Sequence, residues 1–171
     1  VVGMIDAVTD VTDDTLARYE ALGPAPADVH ERLAWVAEGY GTVPDPTDHD
    51  IVGAVATDGS ALAAATSTGG RWMALAGRVG DTPQLGAGVF ASRAGGASAT
   101  GAGEAIVKAG LTRRAVDLLA DGVDAQPAAE RAMARFEAET GDEAGLILLS
   151  PAGSIGAATN AETMQTATAA K

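Results

Sequence analysis

The sequence has no cysteine and only two lysines, Lys108 and Lys171, among its 171 residues. The absence of cysteine excludes disulfides, thiolate nucleophiles and cysteine-ligated metal sites within these residues. Acidic residues outnumber basic ones, and the net charge is -12 at pH 7. A surface of that sign repels phosphate backbones and anionic lipid, so we expect neither a nucleic-acid partner nor a membrane partner.

Aromatic residues and long apolar runs are also scarce. Aromatic side chains make up 4% of the sequence, and Trp35, Trp72 and Phe90 are too scattered to form a platform on which bases stack. No apolar run approaches the roughly 20 residues that a membrane-spanning helix needs. The first residues lack the basic, apolar and small-residue pattern of a signal peptide, so we expect a cytoplasmic protein.

The chain is rich in acidic residues, alanine, glycine and valine. Asp and Glu number 23, against 11 Lys and Arg. This composition is typical of salt-adapted, halophilic-like proteins, in which salt screens the repulsion between carboxylates and hydration of those carboxylates keeps the protein soluble. An ordinary acidic cytoplasmic protein is the alternative.

The first 50 residues predict two helices and a linker. Residues 1–11 begin apolar and turn polar, and we interpret them as the end of a fragment. After a cap at Thr12–Asp14, helical spacing of apolar residues predicts a helix to Leu22, and a second helix fits 27–38. Residues 41–50 are rich in proline and aspartate and predict a flexible linker.

Strands dominate the prediction after that linker. Asp58–Ser60 separates two apolar runs over 51–57 and 61–67, and an Asp-Gly pair between such runs predicts a hairpin. Further along, the pattern predicts a loop over 69–83, strands over 86–92 and 96–100, helices over 101–122 and 127–140, strands over 144–150 and 154–159, and a frayed tail from 162.

Four short blocks carry the functional information. They are VGAV at 52–55, TSTGG at 66–70, GRVGD at 77–81 and SATG at 98–101. In this order and at these spacings they resemble the plant-type L-asparaginase and isoaspartyl peptidase family, a branch of the N-terminal-nucleophile threonine hydrolases related to glycosylasparaginase. Four ordered blocks are far more specific than a single glycine motif.

The resemblance implies a fold and a division of the chain. The implied class is α+β, a four-layer αββα sandwich that is incomplete at the N-terminus, because family members begin with a glycine-rich half. Residues 1–50 would be the C-terminal part of an α-subunit-like region, ending in the linker 41–50. Residues 51–171 would be the β-subunit-like catalytic region. The resemblance also implies a homo-oligomer, a dimer, and catalysis without an organic cofactor.

Five site residues are carried over from the resemblance. Thr68 would bond to and tune the nucleophile, Arg78 would grip the substrate α-carboxylate, and Asp81 would pair with the α-ammonium. The Thr100 hydroxyl and the Gly101 backbone N–H would form the oxyanion hole. Taken singly these motifs have simpler readings, such as a surface ion pair between Arg78 and Asp81 or an ordinary helix cap.

One departure from the family concerns the nucleophile. The family has threonine directly before Val-Gly, both as the self-cleavage site and as the nucleophile, whereas this chain has Ile51. Isoleucine has no hydroxyl, so we expect the Asp50–Ile51 junction to stay intact and no acyl-enzyme to form there. Isoleucine is β-branched like threonine, so packing can survive. The change has three possible origins: an engineered variant, a natural pseudoenzyme or a sequence error.

Several functional alternatives stay open. Asparagine and isoaspartyl dipeptides are the expected small-molecule substrates; Gly69–Gly70 favours that branch, and His49–Asp50 favours the glycosylasparaginase branch. The rival is a non-catalytic amino-acid-binding or structural protein of the same fold. A third possibility is that the chain works only with a separate chain carrying an N-terminal half. The acidic stretch Asp45–Asp50 could hold a cation, but we expect its carboxylates to be solvated and predict no metal site.

Overall fold

A computed structural model of the chain describes residues 2–5, 51–71 and 77–170. In chain order, the elements in these ranges are β1 (Val2–Ile5), β2 (Ile51–Thr57), β3 (Leu62–Thr68), β4 (Val89–Ser92), β5 (Gly95–Gly101), α1 (Gly103–Ala109), α2 (Leu111–Ala120), α3 (Ala125–Thr140), β6 (Ala144–Leu149), β7 (Ile155–Thr159) and β8 (Thr166–Thr168). The predicted helices over 12–22 and 27–38 and the linker 41–50 lie outside the described residues.

The strands form two antiparallel sheets of four strands each. The first sheet has the order β3-β2-β1-β8, and the second has the order β4-β5-β6-β7. Strand β1 therefore lies between β2 and β8, with Gly3 opposite both Ala54 and Ala167. The first sheet joins segments from both ends of the sequence.

The β2–β3 hairpin is confirmed. Asp58 Oδ1 accepts hydrogen bonds of 2.8 Å from the backbone N–H groups of Ser60 and Ala61. These bonds lower the pKa of the Asp58 carboxyl to about 2. Gly59 has φ +89°, a conformation that glycine adopts without steric cost. The register that follows places Ile51 opposite Thr68.

The second sheet is buried on both faces, which explains its continuous apolar strands. All six residues of β6 are buried. Leu146 and Leu148 contact the core formed with the helices, whereas Ile147 and Leu149 join Val55 of the first sheet in a second core. Alternate residues of a strand point to opposite faces, so β6 lies between the helices and the first sheet. The predicted α+β class is confirmed.

Three predicted boundaries were wrong. The helix predicted over 101–122 is two helices, because Gly110 adopts φ +60° and caps α1 by donating its N–H to the Ile106 carbonyl at 2.9 Å. The strand predicted over 86–92 begins at Val89, because Gly88 belongs to a turn and donates its N–H to the Asp81 carbonyl. Helix α3 begins at Ala125, so Pro127 lies within its first turn.

Both ends of the sequence also differ from the prediction. Residues 2–5, interpreted as a fragment end, form β1, and the tail predicted to fray from 162 contains β8. The two strands pair with each other, with Met4 opposite Thr166. Among the helices of the described ranges, none combines the length and apolar composition required to cross a membrane.

Candidate active site

The candidate site is built where β2 begins and β3 ends. Ile51 is the first residue of β2 and pairs with Thr68, the last residue of β3. Directly opposed residues in an antiparallel pair have Cβ atoms about 5 Å apart. The Ile51 side chain is buried, whereas Thr68 is exposed and its Oγ1 accepts a hydrogen bond from the Gly70 N–H at 3.0 Å. A side chain at position 51 therefore lies on the same face of the sheet as that of Thr68.

A cleft opens at this edge of the first sheet. Its lining residues are Ile51, Thr68, Gly70, Arg71, Arg78, Gly80, Asp81, Thr82, Pro83 and Gly101. The cleft thus brings together five positions that the sequence analysis singled out, from β2, β3, the loop before β4 and the end of β5. Residue Asp50, the other half of the predicted cleavage junction, lies outside the described residues.

The predicted oxyanion-hole pair lies at the end of β5. Gly101 lines the cleft and has φ +125°, and a Cβ at this position would lie 2.5 Å from the Glu143 carbonyl oxygen. Only glycine fits both constraints. Thr100 does not line the cleft; it is 8% exposed, and its methyl group lies beside Gly145 on β6. The structure therefore places Gly101, and not the Thr100 side chain, in the cleft wall.

Asp81 is a buried carboxylate with an unsatisfied oxygen. It is 2% exposed, and its Oδ2 has no hydrogen-bond partner among the described residues. Burial raises the pKa of the Asp81 carboxyl above its ordinary 3.8, and a bond from its own backbone N–H and the charge of Arg78 oppose this. A buried, unpartnered carboxylate oxygen gains free energy from a cationic ligand such as an ammonium group.

The Asp81 carboxylate lies in a space left by two glycines, and the loop that carries it is bonded to β3. A Cβ on Gly88 would lie 2.8 Å from Asp81 Oδ2, and a Cβ on Gly103 would lie 2.8 Å from Oδ1. The adjoining residue Thr82 accepts a hydrogen bond of 3.0 Å from Thr66 Oγ1, which ties this loop to β3. The carboxylate therefore occupies a space that exists only because residues 88 and 103 have no side chains.

Arg78 is held by a residue that the sequence analysis did not select. Its Nε donates to Glu104 Oε1 at 2.9 Å and its Nη2 donates to Glu104 Oε2 at 3.2 Å. Arg71 Nη1 donates to the same Oε2 at 3.3 Å. These contacts, those from Arg78 first, lower the pKa of the Glu104 carboxyl to about 2. Arg78 is bound to Glu104, and Asp81 is buried. Arg78 and Asp81 therefore do not form the surface ion pair that was the simpler reading of their motif.

Sequence reasoning missed Glu104 and Arg71 because their local context is ordinary. An acidic residue in the first turn of a helix, as Glu104 is in α1, usually serves only the helix dipole. Arg71 follows Gly70 at the end of a strand and has no periodic pattern. The sequence did contain one signal for Glu104, because this residue lies only three positions after Gly101, which ends the block SATG.

The described ranges contain no group of three or more His, Cys, Asp or Glu side chains arranged to hold a metal ion. The acidic stretch Asp45–Asp50, considered above for a cation, lies outside those ranges.

Comparison with known proteins supplies the family. A family profile described as asparaginase matches residues 4–171. The chain belongs to the asparaginase family. The resemblance predicted from the four blocks is thereby confirmed.

Individual relatives agree with this membership. The chain is 37% identical to a plant-type L-asparaginase of Thermococcus kodakarensis over 157 residues, which cover 90% of the chain and 51% of that protein. It is 45% identical to one of Pyrococcus abyssi over 114 residues, or 66% of the chain and 37% of the relative. A mouse isoaspartyl peptidase/L-asparaginase is 41% identical over 110 residues, or 63% and 34%. The chain spans about half or less of the length of the curated relatives it matches.

Proposed function

We propose that the protein carrying this chain has the active-site architecture of a threonine-type amidohydrolase. The substrates of this architecture are the side-chain amide of L-asparagine and the bond of isoaspartyl dipeptides. The observation that supports this most is the cleft itself. It gathers position 51, Thr68, Arg78, Asp81 and Gly101 from four separate segments. The matching relatives are named L-asparaginases and isoaspartyl peptidases.

Each residue has a role in this proposal. Arg78 binds the substrate α-carboxylate, and the unsatisfied oxygen of Asp81 binds the α-ammonium. These two contacts fix the substrate side chain relative to position 51. A hydroxyl there, activated by its own liberated α-amine and supported by Thr68, would attack the amide carbon. The backbone N–H of Gly101 and the hydroxyl of Thr100 would stabilise the oxyanion.

Ile51 interrupts this scheme at its first step. A side chain of carbon and hydrogen cannot attack a carbonyl, so the Asp50–Ile51 bond stays intact and the chain turns over no substrate. Ile51 is buried in the fold. This observation favours a second candidate function, in which the chain is a non-catalytic protein that binds an amino acid such as aspartate through Arg78 and Asp81.

The same function implies an organisation for the whole molecule. Residues 1–50 belong to an α-subunit-like region with 41–50 as its linker, and residues 51–171 form the β-subunit-like catalytic region. The fold of this molecule is the four-layer αββα sandwich of the N-terminal-nucleophile type. The assembled protein is a cytoplasmic homodimer that acts on small molecules.

The test is ammonia release by the full-length protein with and without the substitution Ile51→Thr. The Ile51→Thr protein is expected to release ammonia from asparagine, whereas the parent and an Ile51→Val control are not. Ammonia release by the parent would refute both the role of position 51 and the non-catalytic alternative. Calorimetric binding of aspartate by the parent without ammonia release would support that alternative.

A further inference from the structure

Three segments of the described chain meet at the carboxylate of Glu104. Arg71 comes from the residues after β3, Arg78 from the loop before β4, and Glu104 from the first turn of α1. Three N–H donors reach the carboxylate, two from Arg78 at 2.9 and 3.2 Å and one from Arg71 at 3.3 Å. Glu104 itself does not line the cleft, whereas both arginines do.

The two bonds from Arg78 fix the direction of its guanidinium. They use Nε and Nη2, which form one edge of the planar group, so that Glu104 grips this edge with both oxygens. The atom Nη1 lies on the other side, where a Cβ on Gly80 would be 2.8 Å away. Gly80 lines the cleft, so the terminal edge of Arg78 is turned towards it. A planar fork held in this way loses little further freedom when it binds a carboxylate.

We propose that Glu104 is a positioning residue of the candidate site. It aims the terminal edge of Arg78 at the substrate α-carboxylate, while Arg71 offsets the negative charge that Glu104 brings to that subsite. This inference rests on the proposed function, because it assigns the α-carboxylate to Arg78. It adds two residues, Glu104 and Arg71, that act through Arg78 without touching the scissile amide.

The charges in this group show why both arginines are needed. A carboxylate beside Arg78 repels a second carboxylate, and its low pKa keeps Glu104 ionised at neutral pH. Arg71 on the same oxygen restores a net positive charge to the group of three side chains. Electrostatics and positioning therefore predict opposite effects for Glu104→Gln. Loss of the Glu104 charge alone would tighten the binding of a carboxylate, whereas loss of the fixed orientation of the Arg78 guanidinium would weaken it.

The experiment measures steady-state kinetics in the full-length protein carrying Ile51→Thr, with and without Glu104→Gln. Positioning predicts that Glu104→Gln raises KM for asparagine about two- to fivefold, the worth of an ion pair whose carboxylate is half exposed, and changes kcat much less. Arg71→Gln raises KM by a smaller factor, because the two bonds between Arg78 and Glu104 remain. Glu104→Asp, which keeps the charge on a shorter stem, gives an intermediate KM.

Two inhibitors separate positioning from general damage. L-Aspartate carries the α-carboxylate, and β-alanine is the same molecule without it. Glu104→Gln is expected to weaken inhibition by L-aspartate. Inhibition by β-alanine should be the same with and without this substitution. The matched control is Glu139→Gln, since Glu139 also pairs with two arginines, Arg114 and Arg135, but on the helices away from the cleft. Its KM should equal that of the Ile51→Thr parent.

The measurements distinguish a failure of the proposed function from a failure of the positioning role alone. If Ile51→Thr alone releases no ammonia, the proposed function fails, and the assignment of Glu104 fails with it. If that protein is active but Glu104→Gln has an unchanged or lower KM, only the positioning role is overturned. An equal loss of inhibition by L-aspartate and β-alanine would also overturn it, because the damage would then be independent of the carboxylate.

Discussion

Ile51 faces Thr68 across the β2–β3 ladder, at the point where both strands meet the cleft. Ile51 is 4% exposed, so an apolar group is buried against the edge of a site whose other side chains, apart from Pro83, are polar or charged. Threonine and isoleucine share a β-branched shape and differ by a hydroxyl in place of an ethyl group. The position can therefore hold either residue, while only one of them can act as a nucleophile.

A hydroxyl at position 51 should be accepted by the fold. We expect Ile51→Val to lower the free energy of unfolding by about 1 kcal/mol, as deletion of a buried methylene usually does. Ile51→Thr should cost about the same, because Thr68 offers its hydroxyl across the ladder. Unfolding by urea measures both, with the Ile51→Thr protein used while intact mass shows its chain still whole. If threonine costs about 1–3 kcal/mol more than valine, its hydroxyl has no partner and Thr68 does not support the nucleophile position.

The space around Asp81 should tolerate no side chain at its two glycines. Gly88→Ala would bring a Cβ within 2.6 Å of the Asp81 carbonyl oxygen, and Gly103→Ala would bring one within 2.8 Å of Oδ1. We expect each to lower the free energy of unfolding by about 1–3 kcal/mol, the usual cost of overpacking, and to abolish aspartate binding measured by calorimetry.

Gly122→Ala is the matched control for these two variants. Gly122 has φ +85° and open space around it, so alanine there costs stability through the backbone alone. It should lower the free energy of unfolding by about 1 kcal/mol and leave aspartate affinity unchanged. Retention of full aspartate affinity by Gly103→Ala would show that the carboxylate is not held where the structure places it.

Local features were predictable from the sequence, whereas features that join distant segments were not. The turn at Asp58–Ser60 was predicted because its hydrogen bonds lie within four residues. The break at Gly110 was missed because the apolar stripe continues across it, and periodicity does not report a single left-handed residue. Strands β1 and β8 were missed because their partners lie at opposite ends of the sequence.

The same reason limited the prediction of the site. The four blocks located the cleft, because the resemblance carries spacing over the whole of 52–101. The contact of Arg71 with Glu104 spans 33 residues and depends on how the helix layer packs on the second sheet. No local pattern encodes such a contact. Packing also decided that Thr100 faces Gly145 and that Asp81 is buried.

Buried Asp81 should make stability depend on pH in a known direction. Its folded-state pKa is raised above the ordinary 3.8 by burial, so the folded state binds the proton more tightly than the unfolded state does. Stability therefore falls as pH rises from about 4 through the raised pKa. Asp81→Asn removes this dependence, so the variant should gain stability relative to the parent across that window. Urea unfolding at several pH values tests this; a constant difference between the two proteins would contradict it.

We infer that Ile51 occupies the position of a self-cleaving nucleophile. Its most direct test is the intact mass of the full-length protein with and without Ile51→Thr, after incubation at low and at high salt. We expect the parent to stay whole and the Ile51→Thr protein to split into two chains whose masses place the cut between residues 50 and 51. If the Ile51→Thr protein stays whole under both conditions, or if the parent splits at this bond, position 51 is not that of the nucleophile.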